Sequence, residues 1–513
     1  MRLCDYLDKG ASLGAQARCL SMDGQDWSYA QVQAHSYQLC RALQREGVEA
    51  GAKVAILSGN HALAFACVFG ISRAAAVWCP INPRNEAAEN RAVLHGFDCS
   101  MLFFHSSFAP MVRAMLPDLP LLRTLVCIDA TLDIAPALQD WLRDVDDGPC
   151  QRDVIDDVVM LPGTGGTTGT PKGVMLTGRN LEAMTATVLM CYPFEGRPVY
   201  LALAPLTHSA GVFALPMLAL GGRIVIMSHP GYAEFLQLIE RHAVTHTLLP
   251  PTALYMLLDQ PELDATKLGS LQCFWYGAAP ISPQRLREAL QRIGPMAQFF
   301  GQTEAPMVVT TMAPRDHYDA NGEIVDARLS SAGRPSPLQQ VAIMDADGQL
   351  LPAGERGEIV VRGSLVMAGY YRNPDASADA SRHGWHHTGD IGYLDADSFL
   401  YIVDRAKDMI ISGGFNVYSI EVEQVLQAHP AVLDCAVIGL PDAKWGERIV
   451  AVVELRQGAN VQSAELIAFA RQQLGGVKTP KQIEIWPALP KSRVGKIVKP
   501  DIRAALLAAH PLP

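Results

Sequence analysis

The sequence predicts an α/β protein with a large multi-layer N-terminal domain, built on parallel sheets with a small β region, and a smaller α+β C-terminal domain. Three observations lead there. The 513 residues exceed the usual span of one hydrophobic core, so at least two domains are expected. Through most of the chain, short β-branched runs alternate with helical patterns, as in parallel sheets covered on both faces. After about Ala332 the style changes to strands separated by tight turns.

Taken in order, Lys53–Ser58 (KVAILS) reads as a buried strand. Asn60 is placed to cap a helix running to about Ala75, and Ala76–Pro80 returns as a strand. The strand pattern recurs at Val199–Ala204, Arg223–Met227, Thr245–Leu249 and Leu271–Tyr276. Between these, Tyr232–His242 is helical. Another helix opens at Ser282-Pro283, with Ser at the N-cap and Pro in the first helical position. Leu338–Asp345, Glu358–Gly363 and Ser398–Val403 then read as strands of a more antiparallel region, with a turn at Asp347-Gly348. Past Asp404 come a glycine turn (Ser412–Phe415), renewed αβ alternation and a basic stretch at Lys491–Lys499. The domain boundary is expected near Asp404–Lys407, dividing the chain into 1–404 and 405–513.

Composition narrows the function. Apolar residues at 49% and charged residues at 18% fit a globular enzyme and argue against disorder. A net charge of -10 argues against a nucleic-acid surface, so anionic ligands must be met by local cations and backbone dipoles. The 11 cysteines are odd in number and form no CxxC pair, which fits a reducing, cytoplasmic setting and gives no zinc or disulfide signal. The opening MRLCDYLDKG has acids and no apolar core, unlike a signal peptide. Val199–Gly222 contains no Asp, Glu, Lys or Arg, but Pro205, His208, Pro216 and Gly221-Gly222 interrupt it. Strand, turn and core helix are therefore expected there, and no integral membrane segment. His386-His387 are adjacent, and a helix-to-strand change separates His242 from His246, so neither pair is expected to hold a metal.

The most informative segment is Leu161–Thr177, LPGTGGTTGTPKGVMLT. Gly163, Gly165, Gly166, Gly169 and Gly173 let the backbone approach a ligand and adopt positive φ. Thr164, Thr167 and Thr168 add hydroxyls and Lys172 adds a cation, so successive N–H groups can form an anion nest. This is not a Walker A loop, because Lys172 sits between Pro171 and Gly173. The segment resembles the phosphate-binding signature of the acyl-adenylate-forming superfamily, whose usual form is an aromatic followed by TSGTTGxPKG. That superfamily includes acyl-CoA synthetases, nonribosomal peptide adenylation domains and beetle luciferases. Here Gly163 stands where the aromatic is common, and Gly165 where Ser is common.

The remaining motifs of that family follow in order, and the roles below are what the resemblance implies. Phe300–Glu304 (FGQTE) resembles YGxTE, with Phe300 and Gly301 beside adenine, Thr303 on a nucleotide phosphate and Glu304, together with Thr167, on Mg²⁺. Tyr276–Pro280 (YGAAP) places Gly277, Ala278 and Ala279 along the adenine. His387–Asp390 (HTGD) gives Asp390 the ribose hydroxyls, which one carboxylate can accept together. Asp404–Tyr418 (DRAKDMIISGGFNVY) resembles the hinge motif: Arg405 contacts ribose or phosphate, and the mobile C-terminal domain rotates about Lys407. Ser412, Gly413 and Gly414 then line the thiol channel, with Phe415 where Glu is frequent. Leu489–Lys496 (LPKSRVGK) supplies Lys496, which bridges the substrate carboxylate and the α-phosphate. Pro205–Gly211 (PLTHSAG) puts His208 beside the acyl and thiol channels.

The resemblance implies an AMP-forming carboxylic acid:CoA ligase that uses ATP, Mg²⁺ and CoA. Pro205–Leu220 contains no acid that could bind an α-amino group, which argues against an amino-acid substrate. The expected pocket lining (His208, Gly211, Val212, Leu248, Tyr276, Gly277, Gly301 and Pro306) suits a hydrophobic monocarboxylate, whether aromatic, alicyclic or medium-to-long acyl. Several glycines among these hint at a roomy pocket, although a glycine also serves where backbones touch. The alternative is a stand-alone adenylating enzyme that loads a carrier protein. A homodimer is compatible with everything above.

Overall fold

A computed structural model describes residues 1–153, 157–164, 171–406, 408–442, 445–491 and 497–509. Of the expected site residues, Gly165, Gly166, Thr167, Thr168, Gly169, Lys407 and Lys496 lie outside the described residues.

Two sheets organise the large N-terminal domain. The first has the order Leu176–Thr177, Val158–Met160, Val77–Ile81, Lys53–Leu57, Cys99–Phe104, Thr124–Cys127, and all its pairings but the first are parallel. In the second, Met296–Phe300, Cys273–Gly277, His246–Leu249, Val199–Ala202, Arg223–Ile226 and Arg18–Met22 run parallel side by side, with short antiparallel strands at both edges. The strands are Val-, Ile- and Leu-rich because helices cover both faces. A shared core joins them, where Trp275 packs on Phe213 (ring centroids 4.8 Å apart) and on Tyr192 (5.5 Å).

From Gln339 the chain forms a five-stranded antiparallel sheet, with Gln339–Met344, Gly357–Gly363, His386–Leu394 and Leu400–Arg405 successively paired. This is the antiparallel region the turns announced. The small C-terminal domain has a sheet of Phe415–Val417, Ile410–Ser412, Gly446–Leu455 and Val432–Asp442, with Gln482–Trp486 added in parallel. Its helices Ser419–Gln427, Ser463–Lys478 and Lys499–Ala509 help form two apolar clusters of their own.

Most expected elements appear within a residue or two of their reading, and Tyr232–His242 is helical as expected. The helix after Ser282 begins at Pro283, although the Ser282 side chain makes no capping bond. One element differs: His61, not Asn60, takes the N-cap position of helix Ala62–Arg73. The Asn60 amide reaches into the other sheet instead. The 199–222 stretch is strand Val199–Ala202, a turn and helix Ser209–Ala219, and among the described residues no helix is long and apolar enough to cross a membrane.

Candidate active site

In an open α/β sheet, the loops leaving the carboxyl ends of the strands are the ones free to meet a ligand, above all where the strand order reverses. From Val199–Ala202 the chain goes to one neighbour, Arg223–Ile226, and then crosses to the other, His246–Leu249. The loop after Val199–Ala202 carries His208, the loop after Cys273–Gly277 carries Ala278-Ala279, and the loop after Met296–Phe300 carries Gly301–Glu304. Four expected site segments thus share one edge of one sheet, counting Phe300 at its strand end.

The phosphate loop arrives from the other sheet. It leaves Val158–Met160 and folds as a hairpin whose arms pair Gly163 with Gly173 and Thr164 with Lys172. Its outer arm is held along the segment Met367–Tyr371: Tyr371 N–H donates to Gly173 O (2.8 Å), Met175 N–H to Gly369 O (2.9 Å) and Ala368 N–H to Met175 O (3.0 Å). The same segment reaches the 301–304 loop, where Met367 N–H donates to Glu304 O (2.8 Å). Tyr370 sits at the centre. Lys172 Nζ lies 4.9 Å from its ring centroid, and its hydroxyl donates to Glu304 Oε1 at 2.8 Å. Burial first, and then the Glu304 charge, raise the Tyr370 hydroxyl far above the ordinary tyrosine value, so it stays protonated and donates.

Asp390 comes from the antiparallel sheet. It is 4% exposed, and its Oδ1 lies 3.1 Å from Arg405 Nε on the paired strand. Its Oδ2 accepts from Gln302 Nε2 at 3.0 Å. Gln302 therefore ties the ribose candidate to the loop that carries Thr303 and Glu304. Motif reading quoted Gln302 within FGQTE without assigning it a role and did not reach Met367–Tyr371. Tyr370 and Gln302 act through tertiary contacts, and no local pattern marks Tyr370.

His208 occupies the N-cap position of Ser209–Ala219, with Nδ1 2.9 Å from Thr207 Oγ1. Asn60 fixes this loop. Its Oδ1 accepts from Leu206 N–H at 2.8 Å, and its Nδ2 lies 3.4, 3.1 and 3.2 Å from the carbonyls of Ala202, Leu203 and Ala204. The carboxyl edges of the two sheets meet there.

The pocket glycines have a backbone reason. A Cβ on Gly211 would lie 1.9 Å from Leu206 O, one on Gly277 2.6 Å from Phe299 O, and one on Gly301 2.6 Å from Met307 N. They allow chains to touch and are no sign of pocket volume. Tyr276 is fully buried in the second core, with its hydroxyl 2.9 Å from His317 Nε2, so it faces away from a ligand. Ala278, just after it, adopts a left-handed φ of 67°. Gly413 and Gly414 are exposed at the tip of a hairpin in the small domain, and among the described residues no hydrogen bond joins them to Asp390 or Glu304. The histidine pairs do not converge. His386 Nε2 faces Gln302 and His387 Nδ1 faces Glu358, whereas His246 stacks on Phe194 and His242 faces Arg223.

Comparison with known proteins follows the same lines. The family model for AMP-binding enzymes matches residues 7–371, and that for the AMP-binding enzyme C-terminal domain matches residues 421–496. A medium/long-chain-fatty-acid–CoA ligase, FadD8, of Mycobacterium tuberculosis is 42% identical over 68% of this chain and 61% of its own length. A feruloyl-CoA synthase of an Amycolatopsis species is 35% identical over 96% of both chains. A fatty acid–[acyl-carrier-protein] ligase, ScoC, of Streptomyces coeruleorubidus is 30% identical over 94% of this chain and 92% of its own. Among solved structures, the amide bond synthetase McbA of Marinactinospora thermotolerans superposes with a TM-score of 0.89 at 29% identity, covering 98% of this chain and 99% of McbA. ATP-bound MatB of Rhodopseudomonas palustris gives 0.87 at 26%, covering 97% and 98%.

Proposed function

The chain belongs to the AMP-binding enzyme family, as an AMP-forming acid–thiol ligase, and from that premise we propose that it joins a hydrophobic monocarboxylate to CoA through an acyl-adenylate. The observation that carries this reading is the meeting of Lys172 and Glu304 on Tyr370, beside Asp390 and Arg405. The grouping supports a cation for phosphates, a carboxylate for a hard metal ion and a carboxylate for ribose within one cluster of contacts.

In the first half-reaction an oxygen of the substrate carboxylate attacks the α-phosphorus of ATP. The bond to the β-phosphate oxygen breaks and pyrophosphate leaves. Lys172 and the loop's N–H groups offset phosphate charge, Thr303 contacts a phosphate, Asp390 and Arg405 hold the ribose, and Gly277–Ala279 with Phe300 border the adenine. The Glu304 carboxylate offers hard oxygen donors and is only partly buried, which fits Mg²⁺, with Thr167 as its companion. When bound, that ion neutralises triphosphate charge. Lys496 bridges the attacking carboxylate and the α-phosphate. In the second half-reaction the thiolate of CoA attacks the acyl carbon and AMP leaves, with His208 beside both channels. We divide the chain at 404/405, with the small domain turning about Lys407 to withdraw Lys496 and bring in Ser412, Gly413 and Gly414.

The acid-free stretch Pro205–Leu220, which offers no partner for an α-amino group, supports an apolar acid, as do relatives named for fatty and feruloyl substrates. The free cysteines, ten of them buried, support a reducing compartment. One relative named for acyl-carrier-protein loading favours a second reading, in which the acceptor thiol is a carrier protein's. The test is turnover with ATP, Mg²⁺ and CoA across aromatic, alicyclic and fatty acids, following AMP and pyrophosphate. AMP release that requires both an acid and CoA supports the ligase. Pyrophosphate release with AMP retained as acyl-adenylate despite CoA assigns the thiol to a carrier. Absence of acid-dependent pyrophosphate release overturns both readings.

A further inference from the structure

The Asp390 carboxylate is almost fully enclosed, and an enclosed carboxylate needs hydrogen-bond partners on its oxygens. Arg405 holds Oδ1, but its side chain is about half exposed (51%) and can swing on its long stem. Gln302 holds Oδ2, and Gln302 is itself anchored twice. The same Nε2 donates to Thr388 O at 2.7 Å, and Oε1 lies 3.3 Å from Nε2 of His386, a residue 5% exposed.

This arrangement determines which way the amide points. With the amide reversed, its carbonyl oxygen would face a carboxylate and a backbone carbonyl, three acceptors with no proton among them. The NH₂ group therefore faces Asp390 and Thr388, one hydrogen to each, and Oε1 faces His386. His386 must then carry a proton on Nε2. Burial lowers the proton affinity of its ring, opposed by the nearby Glu304 charge, so the neutral Nε2–H form supplies that bond.

We propose that His386 and Gln302 form a relay that sets the plane of the Asp390 carboxylate, which makes Gln302 a positioning residue for the ribose hydroxyls of ATP. The proposal rests on Asp390 taking the ribose. Fixing one oxygen through Gln302 and the other through Arg405 defines the plane in which the carboxylate would meet two vicinal hydroxyls. Two donors on one amide nitrogen hold that plane where one rotatable contact would not.

The experiment compares ATP with 2′-deoxyATP and 3′-deoxyATP in acid-dependent pyrophosphate release, for the native enzyme, Gln302→Leu, His386→Phe and Asp390→Asn. The discrimination ratio is the readout, because loss of packing alone lowers kcat/KM for all three nucleotides together. In Gln302→Leu the ratio is expected to fall about tenfold, the scale of one hydrogen bond to a charged group. It should approach the ratio of Asp390→Asn, with a smaller fall in His386→Phe and an unchanged KM for the acid. A native ratio in Gln302→Leu, with Asp390→Asn still losing discrimination, overturns the relay and leaves the ribose reading standing. A native ratio in Asp390→Asn overturns the ribose reading and the relay with it. Should Gln302→Leu fail to fold, Gln302→Asn keeps the amide but is one methylene too short to span Asp390 and His386, and it is scored the same way.

Discussion

Tyr370 couples two opposite charges that stand far apart in the chain. Its ring faces Lys172, and its hydroxyl is a donor to Glu304. A tyrosine held so far above its ordinary pKa stays protonated, and facing a carboxylate it donates, so it fixes one oxygen of Glu304. Tyr370→Phe keeps the ring over Lys172 and removes only that bond. A net loss of about 1 kcal/mol follows for a hydrogen bond to a partly exposed carboxylate, or about fivefold in an equilibrium. The Mg²⁺ concentration for half-maximal pyrophosphate release should rise by that factor, with a parallel loss in Mn²⁺ binding followed by electron paramagnetic resonance. The acid's KM should stay put. Unchanged metal affinity would show that the bond is idle. Glu304 was singled out because FGQTE resembles a family motif; on its own a loop carboxylate reads as a solvated acid. Tyr370 was not, because its role exists only once two distant segments pair across Val174 and Tyr370.

At the scale of elements, the site is a set of loops on the carboxyl ends of parallel strands, and their mutual placement depends on a few tight junctions. Asn60 is the chief of these. Local preference reads an asparagine before a helix as its cap, since its side chain is well suited to the first N–H groups. The chain uses it instead to gather four backbone groups of the Ala202–Leu206 turn in the other sheet. No local pattern distinguishes these uses, because the partner lies over 140 residues away. The strands and helices themselves were legible to a residue or two, since alternation and helical periodicity are local properties of the chain. The choice between pocket room and backbone contact for the glycines has the same origin: composition shows that Gly211 is small, and only the fold shows Leu206 O against it. Asn60→Ala should cost about 2 kcal/mol in urea unfolding, because it leaves a turn's carbonyls and one N–H without their partner. It should also raise the KM for the acid several-fold with little change for ATP, if the Thr207-His208 turn it braces is on the acyl side as we propose. Equal rises in both KM values would place the brace elsewhere.

Across the whole molecule, a largely enclosed charge cluster lies at the boundary we propose between the large and small domains. Asp404, at the end of strand Leu400–Arg405, accepts from the N–H and Oγ of Ser419, the first residue of helix Ser419–Gln427. Lys499, on the last helix, contacts Ser419 Oγ and lies 2.8 Å from Glu423 Oε1. Burial raises the Asp404 and Glu423 carboxyls above the ordinary range, so both oppose folding at neutral pH, a cost relieved as pH falls. Burial by itself would lower Lys499, but the charges of Glu423 and Asp404 outweigh it and raise the ammonium above its ordinary 10.5. A raised lysine stabilises fully below 10.5, and that stability is lost as pH climbs through the raised value. The junction should therefore loosen on the alkaline side. Lys499→Met leaves two buried carboxyls without their cation and should cost about 3–5 kcal/mol at pH 8. In the same variant the alkaline fall in stability should vanish. Unfolding of the small domain, followed by amide hydrogen exchange in strands Val432–Asp442 and Gly446–Leu455, should then precede unfolding of the large domain, because the cluster no longer couples them. The double variant Lys499→Met/Glu423→Gln should recover much of the loss, since it removes a stranded charge. A Lys499→Met protein that unfolds in one step with its alkaline limb intact would place the coupling between the domains outside this cluster.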